Sequence, residues 1–409
     1  MADAPLTIRT LTAGEIPDLV ALVYAAFLTE PSPVRAAWEA ALLEPERTHG
    51  VFDGGRLIGG GGVLSKRMTL PGGVSEPAAA VTTVGVAADH RRRGALTQLM
   101  RSQLHGLHEA GAEPFASLFA AEGGIYGRFG YGLAASRLEA SLPRGAGFLP
   151  SVDVGTDRVR EVDQDTAMPV MNELHRRVSA RRTGWVSRTP AAWTMYVGDD
   201  PDELRRTNQT PARFVLHPDG YAIYRAEPKW GDRGPEAVLH VREIVATTAV
   251  AHAALWRYLL DVDLVGRVNC PGMAVDEPIL HMLADPYHLS RDLRASLWVR
   301  IVDVNRALRL RGYSAPLDVV LAVEDEFCPW NAGRWRLVAD TNGVAEVKRT
   351  TAEPDLALTA SELGAIYLGG TTVGMLADAH RIRELRPGAV LAASRAFAGD
   401  HQPHCPEVF

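Results

Sequence analysis

Cysteine is scarce in this 409-residue chain, whose three cysteines, Cys270, Cys328 and Cys405, are odd in number and far apart. A disulfide scaffold needs pairs and a zinc site needs closely spaced ligands, so this usage favours neither and is typical of a reducing compartment. Net charge is also small, at −6. This balance disfavours a nucleic-acid-binding protein and is compatible with a cationic substrate.

Long apolar runs are missing as well. No stretch is long enough to cross a bilayer, and the opening residues lack the basic start and apolar run of a signal peptide. We therefore expect a cytoplasmic protein without a membrane span. The length predicts two or three domains, and the hydrophobic share of 46% allows large cores.

The most informative pattern lies within residues 81–104. Residues 81–86 alternate with the period of a strand, and apolar residues recur at helical spacing over 96–104. Between them lie three arginines, 91–93, and Gly94. A helix N-terminus has free N–H groups and attracts phosphate, and a glycine lets the backbone approach a ligand closely. We interpret this turn as a cradle for the phosphates of coenzyme A; an ordinary surface turn before a helix is the alternative.

Two further glycine patterns suggest nucleotide binding less well. Residues 59–62 are all glycine but lack the Lys-Ser/Thr end of a P-loop, so we expect a strand that another backbone approaches closely. Gly130, Gly132 and Ala135 match GxGxxA by spacing. The residues after them have a strand pattern rather than a helical one, which argues against a dinucleotide fold.

A second motif, GluGlyGlyIleTyrGlyArgPheGlyTyrGly, occupies residues 122–132. The basic turn at 91–95 resembles the acyl-CoA motif of the GNAT N-acetyltransferases. Together the two motifs resemble the enhanced intracellular survival (Eis) family of actinobacterial acetyltransferases. Segments 216–225 and 297–301 and the terminal phenylalanine, Phe409, extend this resemblance along the chain.

The resemblance implies a mixed α/β protein of three domains. Residues 1–150 would form a GNAT domain with the acetyl-CoA site. Residues 151–294 would form a second, degenerate GNAT-like domain, because the strand, turn and helix around 237–260 lack the arginines and the glycine. Residues 295–409 would form a sterol-carrier-like α+β domain. The family also implies a homohexamer.

Acetyl transfer from a thioester mainly requires positioning, stabilisation of the oxyanion and movement of two protons. We expect backbone N–H groups near residues 84–86 to polarise the acetyl carbonyl and residues 92–97 to hold the pyrophosphate. By resemblance, residues 121 and 122 would lie beside the pantetheine. The candidate cofactor-binding residues are therefore Val84, Gly85, Val86, Arg92, Arg93, Gly94, Ala95, Leu96, Thr97, Ala121 and Glu122.

The family implies an unusual pair of catalytic groups. Tyr126 matches the catalytic tyrosine, and a phenol with a pKa of about 10 can protonate a thiolate whose thiol has a pKa of about 8.5. The base would be the terminal carboxylate of Phe409. From the residues alone, Tyr126 can also be a packing aromatic like Phe129 and Tyr131, and a chain end is often frayed.

Substrate and metal sites are less sharply indicated. A polycation needs carboxylates, and Glu30 and Glu407 are candidates, with Trp38 as a pocket wall; surface and core positions are the alternatives. His401, His404 and Cys405 have poor spacing for a metal, so we predict none.

These observations predict an acetyl-CoA-dependent N-acetyltransferase that modifies amines of aminoglycoside-type polycations, at several positions, and so confers antibiotic resistance. The alternative enzyme is a lysine or polyamine acetyltransferase. A lipid-binding carrier with a vestigial acetyltransferase domain is the alternative from another class. The intact basic turn and Tyr126 argue against the carrier.

Overall fold

The computed structural model describes residues 5–232 and 234–409, and these form three consecutive units, each built around a β-sheet. The elements of the first unit are β1 Thr7–Thr10, α1 Ile16–Ala26, α2 Pro33–Leu42, β2 Thr48–Asp53, β3 Arg56–Thr69, β4 Ser75–Val86, α3 Ala95–Ala110, β5 Phe115–Phe119, α4 Gly123–Tyr126 and β6 Gly132–Leu133.

The second unit contains a larger set of short elements. They are β7 Ser136–Pro143, β8 Arg160–Val162, α5 Gln164–Ser179, α6 Pro190–Val197, α7 Pro201–Thr207, β9 Arg213–His217, β10 Gly220–Glu227, β11 Trp230–Gly231, β12 Gly234–Pro235, β13 Ala237–Ala246, α8 Ala249–Asp261, β14 Val265–Met273, α9 Ile279–Met282 and β15 Ser290–Ala295.

The third unit completes the chain. Its elements are β16 Leu297–Ile301, α10 Val304–Leu310, β17 Leu317–Glu324, β18 Gly333–Ala339, β19 Ala345–Arg349, β20 Leu356–Thr359, α11 Ala360–Ile366, α12 Val373–Asp378, β21 Arg383–Glu384 and α13 Ala389–Phe397. These bounds confirm the predicted mixed α/β class. Within residues 5–232 and 234–409, no helix combines the length and the apolar character needed to cross a bilayer.

The first sheet has the strand order β1-β2-β3-β4-β5-β16-β6 and is covered on both faces. Helix α1 contributes Leu19 and Val23 to one apolar cluster, and α3 contributes Leu99, Met100 and Leu104 to another. Helices that each bury one apolar stripe against a sheet produce this layered arrangement. The predicted strand and helix on either side of the basic turn are confirmed as β4 and α3.

The second and third sheets have the orders β15-β7-β14-β13-β10-β9-β8 and β19-β18-β17-β20-β21. Helix α8 buries Leu255, Trp256 and Leu259 against the second sheet. In the third unit, the fully buried Arg311 donates to the carbonyl oxygens of Tyr367 and Phe397, both at 2.8 Å, and so ties the ends of two helical segments together.

Two strands pair in a different sheet from the one that the expected boundaries at residues 150 and 295 would give them. Strand β7 precedes the first boundary but pairs with β14 and β15 of the second sheet. Strand β16 follows the second boundary but pairs with β5 and β6 of the first sheet. Alternation along a strand predicts which face is buried but does not identify its partner strand. The first sheet is therefore completed by residues from beyond position 295.

Candidate active site

The site begins where β4 and β5 diverge. These parallel strands are paired at only two positions, Ala79 with Ala116 and Ala80 with Ser117. Beyond Ala80, β4 continues to Val86 and pairs with β3 alone. In the part of the chain that the structure describes, the side of residues 81–86 that faces β5 has no strand partner. A wedge-shaped gap with backbone groups along one wall results.

A β-bulge shapes that wall. Gly60 pairs with Gly85 and Gly62 pairs with Thr82, so two residues of β4 oppose one residue of β3. Within the bulge, Thr83 has a φ of +50°, a strained conformation for a β-branched residue. Its hydroxyl donates a hydrogen bond of 3.2 Å to Glu39 Oε1. Because a bulge bends its strand and increases the local twist, this one changes the direction of the backbone along the wall of the gap.

The N-terminus of α3 lies directly after the basic turn. Gly94 occupies the N-cap position with a φ of +83°, and no side chain caps the helix. A Cβ placed on Gly94 would meet no protein atom within 4 Å. Among the described residues, the N–H groups of residues 95–97 have no backbone or side-chain acceptor, so they can bind an anion such as a pyrophosphate.

The three arginines of the turn have different surroundings. Arg91 donates to the carbonyl oxygen of Ala26 at 3.0 Å, and Arg93 pairs with Asp53 at 2.8 Å. These two contacts fix the turn to the ends of α1 and β2. Arg92 has a φ of +64° and is exposed. Within the described ranges it forms no hydrogen bond or ion pair, so its guanidinium is available to a ligand.

Tyr126 ends α4 and is 9% exposed. Its ring makes edge-to-face contacts with Phe129 and Tyr131, at centroid distances of 6.4 and 5.9 Å. Burial raises the pKa of Tyr126 to about 12, and the nearby Arg128 opposes this shift. Its hydroxyl has no hydrogen-bond partner among residues 5–232 and 234–409, so the phenolic proton is not committed to another protein group.

Phe129 and Tyr131 pack in the core, as expected from the sequence. Both are almost completely buried, and burial raises the pKa of Tyr131 far above its usual value. Ala121 and Glu122 are exposed and follow the end of β5, the strand that faces β4 across the gap.

The chain end lies at the mouth of the gap. The Phe409 ring packs perpendicular to Phe119, the last residue of β5, with a centroid distance of 5.1 Å. It also packs against the apolar cluster that contains Ala80, the last residue at which β4 pairs with β5. Within the described ranges, the carboxyl group of Phe409 forms no ion pair and no hydrogen bond.

The tail that leads to Phe409 is anchored rather than frayed. The backbone N–H of His404 donates to the Thr183 carbonyl at 2.9 Å, and that of Gln402 donates to Asp276 Oδ2 at 3.0 Å. Glu407 is 5% exposed, and each of its carboxylate oxygens accepts a bond from a different cation. As a correction to the sequence-based candidates, Glu407 is buried and neutralised by two cations, so its charge is not presented to a substrate ammonium.

The other substrate candidates lie near the first two helices. Glu30 is exposed in the α1–α2 loop. Trp38, on α2, packs against Gly198 after α6, where an added Cβ would lie 2.6 Å from the indole ring. Trp38 therefore lies at the contact between the first and second units.

Sequence reasoning missed Glu39. Glu39 accepts a hydrogen bond from Thr83 of the bulge. It also interacts with Tyr24, whose pKa is raised to about 12, mainly by burial and secondly by the hydrogen bond with Glu39. Its position beside Trp38 on α2 was the only available signal, because nothing local indicates that this helix meets the bulge.

The histidines of the tail do not converge on a metal site. His401 lies 3.6 Å from Asp276, and burial lowers the pKa of His404 to about 4. Over the described ranges, no group of three His, Cys, Asp or Glu side chains is arranged to hold a metal ion.

Comparisons with known proteins identify the domains and relatives of this chain. Models of the acetyltransferase (GNAT) domain match residues 7–134 and 184–310, and a model of the sterol carrier protein domain matches 304–406. An uncharacterised N-acetyltransferase of Streptomyces avermitilis is 42% identical over 389 residues, covering 93% of this chain and 94% of the relative. The N-acetyltransferase Eis of Mycobacterium tuberculosis is 32% identical over 408 residues, 97% of each chain.

Solved structures agree. The crystal structure of Eis1 from Mycobacterium abscessus superimposes with a TM-score of 0.86 at 33% identity, covering 98% of this chain and 100% of that one. A GCN5-related N-acetyltransferase from Anabaena variabilis has the same fold, with a TM-score of 0.85 at 21% identity and coverage of 99% and 100%. The expected pair of GNAT domains followed by a sterol-carrier-like domain is thereby confirmed, and the chain belongs to the Eis family of GNAT N-acetyltransferases, enzymes that transfer acyl groups.

Proposed function

We propose that this enzyme transfers acetyl groups from acetyl-CoA to amino groups of aminoglycoside-type polycations. The observation that carries the proposal is the convergence of three features at one gap: the bulged, unpaired edge of β4, the uncapped N-terminus of α3 and the end of the chain. Together they offer hydrogen-bond donors for a thioester and its phosphates and an acceptor for a proton.

Binding of the cosubstrate follows from these donors. The N–H groups of residues 94–97 and the free Arg92 hold the pyrophosphate, while the backbone of residues 84–86 polarises the acetyl carbonyl. Ala121 and Glu122 lie on the pantetheine side. Acetyl-CoA supplies an already activated thioester. The protein therefore needs to align the amine, stabilise the oxyanion and move protons.

Two groups move those protons. The terminal carboxylate of Phe409 accepts the proton of the attacking amine, directly or through a water, and Tyr126 donates its phenolic proton to the sulfur that leaves. Glu39, which contacts Thr83 beside the gap, and the exposed Glu30 attract the remaining ammonium groups of a polycation. Trp38 supports α2 from the contact between the first and second units.

The substrate class is tested with a thiol-release assay at matched concentrations of an aminoglycoside, a polyamine and a lysine peptide. We expect kcat/KM to be at least about tenfold higher for the aminoglycoside, because Glu30 and Glu39 can hold a rigid polycation in one orientation at a lower cost in conformational entropy than a flexible polyamine or a lysine side chain. Mass spectrometry should detect more than one acetyl group per aminoglycoside molecule. A higher kcat/KM for the lysine peptide or the polyamine would favour that substrate class instead.

Membership in an enzyme family argues against the alternative of a lipid-binding carrier.

Replacing Gly94 tests the phosphate cradle. Gly94→Asp places a carboxylate where the pyrophosphate binds, and we expect titration calorimetry to show acetyl-CoA affinity reduced at least about tenfold. Gly94→Asn is the matched control, because asparagine has a similar shape, no charge and a good tolerance of positive φ. Gly94→Asn should therefore lose much less affinity. Unchanged affinity in Gly94→Asp would contradict the cradle.

We also propose that the enzyme is a homo-oligomer, a hexamer by analogy with its family. Apolar side chains at the edge of the second sheet support an interface. Leu293 on β15 is 67% exposed, and Tyr287 just before this strand is 96% exposed. An edge strand presents unpaired N–H and C=O groups, which are a template for pairing with another chain.

A further inference from the structure

Four charged side chains from distant parts of the sequence form a buried network, which we call the tail clamp: Lys66, Arg188, Glu243 and Glu407. Lys66 Nζ lies 2.6 Å from Glu407 Oε1, and Arg188 Nε lies 2.8 Å from Glu407 Oε2. Arg188 also forms a two-point pair with Glu243, at 2.7 and 3.0 Å. All four side chains are buried, and their formal charges sum to zero.

Arg188 is the rigid centre of the clamp. Its guanidinium stacks over Tyr196 and Trp193, with distances of 3.9 and 4.5 Å to the ring centroids. The Tyr221 hydroxyl donates to Glu243 Oε2 at 2.8 Å and fixes the carboxylate on the far side. Because the planar fork of arginine offers donors in set directions, Nε can reach only an acceptor at the position that Glu407 occupies.

The clamp joins the first and second units to the tail. Lys66 is on β3 of the first unit and also donates to the Ser187 carbonyl at 3.1 Å. Arg188 and Glu243 belong to the second unit, which in the degenerate-domain interpretation binds no cosubstrate. Glu407 is the point at which both units hold the last residues of the chain.

This anchor lies two residues before the terminal carboxylate. Two residues span at most about 7 Å, so a fixed Glu407 limits the carboxylate to a small volume. Val408 between them is 59% exposed and contributes little packing. We propose that Lys66, Arg188 and Glu407 are positioning residues that hold the Phe409 carboxylate at the gap between β4 and β5. The proposal rests on the function proposed above for that carboxylate.

Stability alone does not account for the clamp. Well-packed apolar side chains of similar volume often replace a buried ion pair without loss of stability, whereas removal of one partner leaves a costly unpaired charge. Paired charges with directional hydrogen bonds do fix one geometry. A variant that removes both charges of the Lys66–Glu407 pair therefore separates folding from positioning.

The test compares Glu407→Gln, the double variant Lys66→Met with Glu407→Leu, and the conservative Lys66→Arg. Glu173→Gln, which removes an exposed pair with Arg176, is the control. The first readout is the rate at which carboxypeptidase releases Phe409, followed by mass spectrometry. The others are kcat and KM for the amine, acetyl-CoA affinity and melting temperature.

We expect the double variant to keep its melting temperature and, within about twofold, its acetyl-CoA affinity. Its Phe409 should be released at least about tenfold faster and its kcat should fall at least about tenfold, while Lys66→Arg and Glu173→Gln stay near wild type. Unchanged release of Phe409 in Glu407→Gln and the double variant would overturn the clamp. Faster release of Phe409 with an unchanged kcat would overturn the positioning role of the clamp. If a C-terminally extended enzyme were also fully active, the assignment of the Phe409 carboxylate as the base would be wrong.

Discussion

Extension of the chain beyond Phe409 is expected to abolish acetyl transfer. Added residues convert the terminal carboxylate into an amide, which cannot accept a proton, and move the charge out of the gap between β4 and β5. Because a positioned general base contributes on the order of 10² to 10⁴ in rate, we expect a loss of that size. Deletion of the last three residues should have the same effect, since it removes both the carboxylate and Glu407.

The measurement is acetyl transfer together with melting temperature for the wild type, an extended form and a truncated form. An N-terminal tag serves as the control and should have no effect. Chain ends usually tolerate extension, so a selective loss of activity at an unchanged melting temperature would identify a chemical role. Full activity in a stable extended form would instead favour deprotonation through water or through Glu39, the carboxylate that contacts the bulge.

Replacing Tyr126 by phenylalanine should reduce kcat by on the order of 10² or more, while acetyl-CoA affinity stays within about twofold. The substitution removes the phenolic proton and preserves the edge-to-face contacts with Phe129 and Tyr131. Steady-state kinetics and calorimetry measure the two quantities. Phe129→Leu is a useful comparison, because it disturbs packing without removing a proton donor and should lower the melting temperature more than Tyr126→Phe. Wild-type turnover in Tyr126→Phe would return Tyr126 to a packing role.

The pH dependence follows from the burial of Tyr126. The sequence-based argument used the ordinary phenol pKa of about 10, but burial raises the pKa to about 12. Desolvation in the same place also disfavours a thiolate, so the leaving sulfur becomes a stronger base and the transfer stays feasible. Since the folded pKa is raised, Tyr126 is protonated at every pH below about 12. We therefore expect no alkaline loss of kcat from this group across an assay range of about pH 6 to 10.

Local patterns predicted the parts of the site that are built from neighbouring residues. The strand, basic turn and helix at β4 and α3 are contiguous, so alternation, helical spacing and Gly94 were sufficient. The same reasoning found the second strand, turn and helix at β13 and α8. The role proposed for Tyr126 rests on the family resemblance, because an aromatic residue in an apolar segment has no local sign of chemistry.

Features that depend on distant pairing could not be predicted. The ion pairs of Glu407 are made with Lys66 and Arg188, which lie 341 and 219 positions away in sequence. Glu39 contacts Thr83 because α2 reaches the bulge in β4. In each case, burial and charge pairing are properties of the folded arrangement, and a single sequence records neither of them.

The insertion of β16 between β5 and β6 has a consequence for synthesis of the protein. While the ribosome has made only the first 290 or so residues, β5 has an uncovered edge and β6 has no neighbour in the first sheet. The first sheet can close only after residues 297–301 have been synthesised. Until then, a nascent chain that already contains β5 carries an open strand edge, which is a site for aggregation.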